Sequence, residues 1–107
     1  MKQSTLLGWL FSLSIITSPA LADEFEVGQK NKSFTLQQLK LKVGDTVKFS
    51  NGDPFYHNIF SLSEAKPFDL GSFKKGNSRT VTFDKPGKIE VECAIHPEMH
   101  MVIDITE

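Results

Sequence analysis

Short runs in which apolar and polar residues alternate recur along most of this chain. The clearest are residues 39–43 (LKLKV), 88–93 (KIEVEC) and 101–105 (MVIDI). An alternation of period two places every second side chain on one face of a β-strand. Turn signals such as residues 51–54 (NGDP) and 85–87 (KPG) separate the runs. The pattern predicts an all-β sandwich or barrel of six or seven short strands with little helix.

The segment from Glu64 to Asn77 departs from this pattern. It carries Pro67, Gly71 and Gly76, which argue against a long helix. We therefore expect this segment to be the least regular part of the domain. Phe68, Leu70 and Phe73 are expected to pin it onto the core.

The first 22 residues have the composition of a targeting segment. Lys2 precedes an apolar stretch at residues 6–16 (LLGWLFSLSII), and Ala20 and Ala22 supply small residues where a signal peptidase reads them. The apolar stretch is too short for a comfortable membrane span. We predict a secretory signal peptide at residues 1–22, cleaved before Asp23, and a single exported domain at residues 23–107 that is soluble in the periplasm.

The charge of the predicted domain is close to neutral. The whole chain has 12 basic and 13 acidic residues, and without Lys2 the remainder has a net charge of −2. Nucleic-acid binding and strong attachment to an anionic membrane are therefore not expected. A near-neutral chain also predicts weak electrostatic steering toward partners.

Cys93 is the only cysteine, so no internal disulfide can form. A lone cysteine in an oxidising compartment is a liability unless it is buried or occupied. In residues 93–101 (CAIHPEMHM) it is followed by His96 and Met99. Thiolate, imidazole and thioether together suit copper, whereas structural zinc favours four Cys or His ligands and hard cations favour oxygen.

His57 supplies the second imidazole from a separate predicted strand, directly after a turn. Two histidines and one cysteine with a weak, long axial methionine make up the ligand set of blue-copper sites. We therefore predict one copper ion, cycling between Cu(I) and Cu(II), held by His57, Cys93, His96 and a nearby methionine.

These motifs resemble the cupredoxin family, its plastocyanin and amicyanin branches in particular. The resemblance rests on residues 43–49 (VGDTVKF), on His57-Asn58 and on the closing residues 93–99 (CAIHPEM). It implies a Greek-key β-sandwich of about seven strands. It also implies that His57, Cys93, His96 and Met99 are the copper ligands. Asn58 matches the asparagine that ties the two ligand loops together beside the cysteine sulfur.

Two features leave details of this site open. Met101 would fit the longer ligand loop of plastocyanin, so it is the alternative axial ligand, although it is also in phase with the core residues that follow it. Many family members have proline before each histidine ligand, where this chain has Tyr56 and Ile95. Loop rigidity is therefore expected to differ here.

The resemblance implies a soluble one-electron carrier rather than an enzyme. Four protein ligands leave no open position for a substrate, and no general acid–base pair stands beside the predicted metal. The expected partners are larger exported or membrane-bound redox proteins, and we expect a monomer. The alternatives are a periplasmic copper carrier or metallochaperone without an electron-transfer role, which would use His100 and Met101 for handover, and a metal-free partner-binding sandwich.

Overall fold

The structure, a computed structural model, describes residues 21–107, and most of the predicted signal peptide lies outside them. Nine β-strands follow one another along the described chain. They are β1 (Glu24–Lys30), β2 (Ser33–Phe34), β3 (Gln38–Lys42), β4 (Thr46–Asn51), β5 (His57–Ser61), β6 (Phe68–Phe73), β7 (Ser78–Thr82), β8 (Gly87–Glu92) and β9 (His100–Thr106). Within residues 21–107 no helix is long and apolar enough to cross a membrane.

The strands form two sheets that face each other. One sheet has the order β2-β1-β4-β7 and the other has the order β3-β9-β8-β5-β6. Most neighbours are antiparallel, while β1 pairs with β4 and β3 with β9 in parallel. The all-β sandwich predicted from the alternating pattern is confirmed.

The core lies between the sheets and is built from the alternating positions. On β4, Val47 and Phe49 are buried while Lys48 is exposed, and on β8 Ile89 and Val91 are buried while Glu90 is exposed. Burying an aliphatic or phenyl side chain stabilises the fold by about 1.5–3 kcal/mol. The period of two thus decides which face of each strand packs inward.

The structure has more strands than the sequence pattern indicates. The expectation of an irregular segment from Glu64 to Asn77 is corrected, because β6 runs through it and pairs with β5. The register shifts between Asn58 and Phe60, and Gly71 has φ 75° at this bulge. Glycine adopts that conformation at little cost, so it bends a strand here without ending it.

One end of the sandwich collects the loops that carry the candidate site. β5 begins at this end with His57, opposite Phe73 at the end of β6. The side-chain amide of Asn51, at the end of β4, donates hydrogen bonds to the carbonyl oxygens of Phe55 and Phe73 at 2.8 and 2.9 Å. Asn51 therefore joins the two sheets at the end where the site lies.

Candidate metal centre

His57 is the first residue of β5, and its side chain is fully buried. The tight turn that follows β4 brings the chain back into the opposite sheet at this point. Asn51 Oδ1 accepts a hydrogen bond from the backbone N–H of Asp53 at 2.7 Å, which closes this turn. The turn signal in the sequence therefore determines where the imidazole enters the sandwich.

Cys93 follows β8 in the inward phase set by Ile89 and Val91, and it is 1% exposed. The chain then turns, and the backbone N–H of Met99 donates a hydrogen bond to the carbonyl oxygen of His96 at 2.9 Å. This turn places the half-buried His96 and the buried Met99 at the same end as Cys93.

Three donor atoms converge between the two loops. The Nδ1 of His57 lies 3.7 Å from Sγ of Cys93 and 3.1 Å from Nδ1 of His96. All three lie within 4.8 Å of one another, and among residues 21–107 this is the one cluster of at least three histidine, cysteine or carboxylate donors suited to a metal ion. Around one ion with bonds of about 2.0 Å to nitrogen and 2.3 Å to sulfur, neighbouring donors lie roughly 3.3–3.7 Å apart. The donor set therefore fits a single ion, and its two imidazoles and thiolate suit copper.

Both candidate axial methionines are buried, but Met101 lies within β9 and Met99 directly precedes that strand. Met101 lies opposite Val91 in the β8–β9 pair, inside the apolar core. Extending the same register by two residues sets Met99 opposite Cys93. Met99 is therefore level with the sulfur of the site, whereas Met101 is one inward-facing pair deeper.

Asn58 joins the two loops that carry the donors. Its Oδ1 accepts a hydrogen bond from the backbone N–H of Ala94 at 2.8 Å, directly after Cys93. The residue therefore holds the start of β5 against the 93–99 loop.

Asp53 is a contributor to the site that sequence reasoning missed. Nε2 of His57 lies 2.7 Å from Oδ2 of Asp53, and the backbone N–H groups of Asn31 and Lys32 donate to the same carboxylate at 2.7 and 3.0 Å. Burial by itself would raise the pKa of Asp53, but the hydrogen bonds from His57, Lys32 and Asn31 outweigh it and lower the pKa to about 2. The carboxylate is therefore ionised at neutral pH.

The sequence signal for this contact was an aspartate four residues before a candidate histidine ligand. In the sequence, Asp53 stands out only as part of the turn signal at residues 51–54. A carboxylate on Nε2 fixes the tautomer of an imidazole, so that Nδ1 keeps its lone pair for a metal.

Phe55 is a second residue whose role the sequence did not indicate. Its ring centroid lies 5.2 Å from that of His57 and 5.1 Å from that of His96, and it is half-buried. The ring shields both imidazoles from water on one side. Next to it in the chain, Tyr56 is 56% exposed, and Ile95, which directly precedes His96, is 46% exposed.

His100 lies outside this cluster. Its exposed imidazole is 3.1 Å from Oε1 of Glu90 on the outer face of the five-stranded sheet. The third histidine of the chain is therefore turned away from Cys93.

Comparison with known proteins agrees with this geometry. A model of the family described as "Copper binding proteins, plastocyanin/azurin family" matches residues 22–106. The chain is 30% identical over 96 residues to the methylamine utilization protein MauL of Methylorubrum extorquens (strain AM1). This alignment covers 89% of this chain and 84% of MauL.

Solved structures agree on the fold. A copper(I) structure of an amicyanin variant has a TM-score of 0.71 at 23% identity, over 76% of this chain and 80% of amicyanin. A copper-containing nitrite reductase (NirK) from Thermus scotoductus SA-01 has a TM-score of 0.73 at 25% identity, over 96% of this chain but 27% of that enzyme.

The family match covers nearly all the described residues, and the buried histidine and cysteine donors that it requires are present and adjacent. The resemblance to cupredoxins seen in the sequence is confirmed, and copper is the metal that this donor set takes. The chain is a member of the plastocyanin/azurin family of copper binding proteins.

Proposed function

We propose that this protein is an exported type 1, or blue, copper protein that carries single electrons between redox enzymes. The observation that carries the proposal is the convergence of His57 Nδ1, Cys93 Sγ and His96 Nδ1 within 4.8 Å in a largely buried pocket. When bound there, copper supplies one-electron chemistry by alternating between Cu(I) and Cu(II).

The proposed ligands are His57, Cys93, His96 and Met99. The thiolate and the imidazoles are the strong donors, and Met99 is assigned as the weak axial donor because the β8–β9 register sets it beside Cys93. Met101 is left to the core, where it lies opposite Val91.

The surroundings of the donors favour electron transfer over substrate chemistry. Asp53, Asn58 and the paired strands hold the donors by hydrogen bonds that need not change with the charge of the metal. A scaffold of this kind keeps one geometry through a redox cycle. Protein donors fill the proposed site, so no position is left where a substrate could bind. NirK is an enzyme, but the chain corresponds to about a quarter of its length.

The path proposed for electrons runs through His96. Its imidazole is half-buried, while His57, Cys93 and Met99 are fully enclosed. Its neighbours Ile95 and Pro97 are exposed. The imidazole edge of His96 is therefore the point where a partner would come nearest to the site.

Location and partners follow from the sequence and from the relatives. The predicted signal peptide at residues 1–22 would deliver residues 23–107 to the periplasm as a soluble domain, which we take to be monomeric. MauL is named for methylamine utilization, and amicyanin structures share the fold. We infer that the partners are larger exported or membrane-bound oxidoreductases.

The alternative of a copper carrier has less support from the arrangement of side chains. Copper handover through His100 and Met101 would require these groups to be accessible together. Met101 is fully buried and His100 is paired with Glu90 on another face.

The test is a visible absorption spectrum of residues 23–107 after addition of one equivalent of copper(II). We expect an intense thiolate-to-copper charge-transfer band that disappears on reduction and returns on oxidation. Cys93→Ser should abolish the band, whereas Met101→Leu should keep it. A colourless protein that still takes up copper(I) would favour the copper carrier, and a protein that binds no copper would contradict both proposals.

A further inference from the structure

Five exposed cations are gathered along one side of the metal end. Lys30 and Lys32 flank the β1–β2 turn, Lys74 and Lys75 form the β6–β7 turn, and Arg79 lies at the start of β7. We call these five residues the basic ridge. They lie far apart in the sequence, so it is the fold that brings them to one side.

Both turns of the ridge are fastened to the segment that also carries the site. Gly52 donates its N–H to the carbonyl oxygen of Gln29 at 2.8 Å, and Lys30 Nζ donates to the carbonyl oxygen of Gly52 at 3.1 Å. On the other side, Asn51 exchanges backbone hydrogen bonds with Gly76 and Asn77 at 2.9 and 3.1 Å. Residues 51 and 52 therefore hold the two lysine-bearing turns on either side of one short segment.

The ridge lies close to the proposed ligands. Phe73, which immediately precedes Lys74, is the strand partner of His57, and the guanidinium of Arg79 lies 4.8 Å from the centre of the Phe73 ring. Lys32 Nζ lies 5.8 Å from the centre of the Phe55 ring, which contacts both imidazoles. The positive charge therefore borders the surface through which electrons would pass.

No carboxylate neutralises these cations within residues 21–107. The ion pairs found there are Asp53 with His57, Asp84 with Lys66 and Glu90 with His100. Asp53 lies beside the ridge, but its oxygens are taken by His57 and by backbone N–H groups. Of the 11 basic residues between positions 23 and 107, five are in the ridge and six lie elsewhere, whereas 11 acidic residues remain when the buried Asp45 and Asp53 are set aside.

Charge is therefore separated on a molecule whose net charge is small. Gathering like charges on rigid turns destabilises a fold by mutual repulsion unless a partner supplies the opposite charge. The expectation of weak steering from the net charge does not hold for this face. Local charge rather than net charge governs approach at distances within the Debye length, about 8–10 Å in physiological salt.

We propose that the basic ridge is the docking surface for an acidic redox protein, whose carboxylates pair with the ridge while His96 faces its redox centre. This rests on the proposed electron-carrier function. A protein is favoured over a lipid surface because the ridge adjoins the half-buried His96, which must meet a second redox centre. Complementary charge at such a rim raises the association rate and sets the orientation of the complex.

The first experiment measures oxidation of the copper(I) protein by ferricyanide, a trianion, over a range of salt concentrations. Net charge predicts a rate that rises with salt, because two anions repel each other. The ridge predicts the opposite, a rate that falls with salt. The triple variant Lys30→Gln, Lys74→Gln, Lys75→Gln should lower the rate at low salt by about tenfold and flatten its salt dependence.

A matched control makes the same change in charge elsewhere. The triple variant Lys40→Gln, Lys85→Gln, Lys88→Gln removes three cations from β3, the β7–β8 turn and the start of β8. It should leave the ferricyanide rate within about twofold of the wild type, because those charges are screened from the site. A wild-type rate that rises with salt, or equal effects of the two triple variants, would overturn the proposal.

A second experiment does not depend on copper chemistry. A glutamate-rich peptide is titrated into isotope-labelled apo-protein, and amide shifts are expected at residues 30–32 and 74–79. The triple variant Lys30→Gln, Lys74→Gln, Lys75→Gln should not show these shifts. If the copper does not cycle reversibly, the proposed function is wrong, but this titration still shows whether the basic ridge binds an acidic partner. Absence of shifts overturns the proposal, and so does tighter binding to phosphatidylglycerol vesicles than to the peptide, which would assign the ridge to a membrane surface.

Discussion

The buried carboxylate of Asp53 lies 2.7 Å from Nε2 of His57 and also accepts hydrogen bonds from the β1–β2 turn. This contact orients the imidazole before any metal arrives. It also connects the site to β1 and β2, which belong to the opposite sheet. Asn31 and Lys32, whose N–H groups it accepts, have φ 54° and 59°, so the carboxylate also stabilises an unusual turn conformation.

Replacing Asp53 with Asn should therefore change the metal site more than the fold. The amide lacks the negative charge that favours Cu(II) over Cu(I), so we expect a higher reduction potential. Loss of such a supporting contact typically weakens metal affinity about 10–100-fold. Spectroelectrochemistry and a copper(II) competition titration measure the two effects. The exposed Asp84→Asn is the control, and an unchanged potential in the Asp53 variant would contradict this role.

Replacing each of the two methionines with Leu should distinguish their roles. Met99→Leu removes the proposed axial donor, so Cu(II) is destabilised relative to Cu(I) and the potential should rise with the charge-transfer band retained. Met101→Leu is a volume-conserving change in the core and should cost less than about 1.5 kcal/mol of stability without moving the potential. Voltammetry of both variants decides the assignment, and a shift in the Met101 variant alone would make Met101 the axial ligand.

Asn58→Ala should loosen the attachment between the ligand loops. The variant loses the 2.8 Å hydrogen bond from Ala94 N–H, a contribution of about 0.5–1.5 kcal/mol. We expect faster amide hydrogen exchange at Ala94 and faster release of copper to a chelator. Ser72→Ala, on the neighbouring strand, is the control, since Ser72 is exposed. Unchanged exchange at Ala94 would mean that the loop holds its position without Asn58.

Gln29 offers a test of core energetics close to the site. Its side chain is fully buried, and neither polar atom of its amide has a hydrogen-bond partner among residues 21–107. Burying an unpaired amide costs about 1–3 kcal/mol. Gln29→Met keeps the shape and removes this cost, so urea unfolding of the apo-protein should show greater stability, by about 1 kcal/mol. Lower stability would instead indicate that the amide is hydrogen-bonded in solution.

The carboxyl of Asp45 should make the free energy of unfolding depend on pH, so that the protein is less stable in acid. It is buried, and hydrogen bonds from the backbone N–H groups of Asp23 and Lys42, at 2.9 Å each, hold the pKa of its carboxyl below the ordinary value. A carboxyl whose pKa is lowered by folding stabilises the native state at pH values above its pKa in the unfolded chain, which is near 4. This stabilisation is lost as the pH falls through the pKa of the carboxyl in the folded protein.

The matched variant is Asp45→Asn. It should be less stable than the wild type at neutral pH, and the difference should shrink as the pH is lowered below about 4. Cleavage before Asp23, if it occurs as predicted, makes the bonded nitrogen of Asp23 the α-amino group and strengthens the contact. Unfolding curves of the apo-protein at several pH values measure this, and a difference that is independent of pH would contradict the assignment.

Much of the fold and of the candidate site could be predicted from the sequence, because the signals were local. The period-two alternation of Ile89, Val91 and Cys93 indicates both a strand and which face is buried. The spacing of Cys93, His96 and Met99 places three soft or borderline donors in one loop. By contrast, the strand β6 was not predicted, because Gly71 within it and Pro67 and Gly76 beside it signal a break when the pairing with β5 is unknown.

The amino-acid sequence by itself determined the sandwich class and the donor types, since both follow from residue periodicity and ligand chemistry. Only the tertiary structure decided what surrounds them. The contacts of His57 with Asp53 and Phe55 depend on how a turn folds back between two sheets. The basic ridge depends on Asn51 and Gly52 fastening two distant turns side by side. These relationships join residues far apart in the chain or on opposite sides of a turn, and sequence periodicity carries no information about such distances.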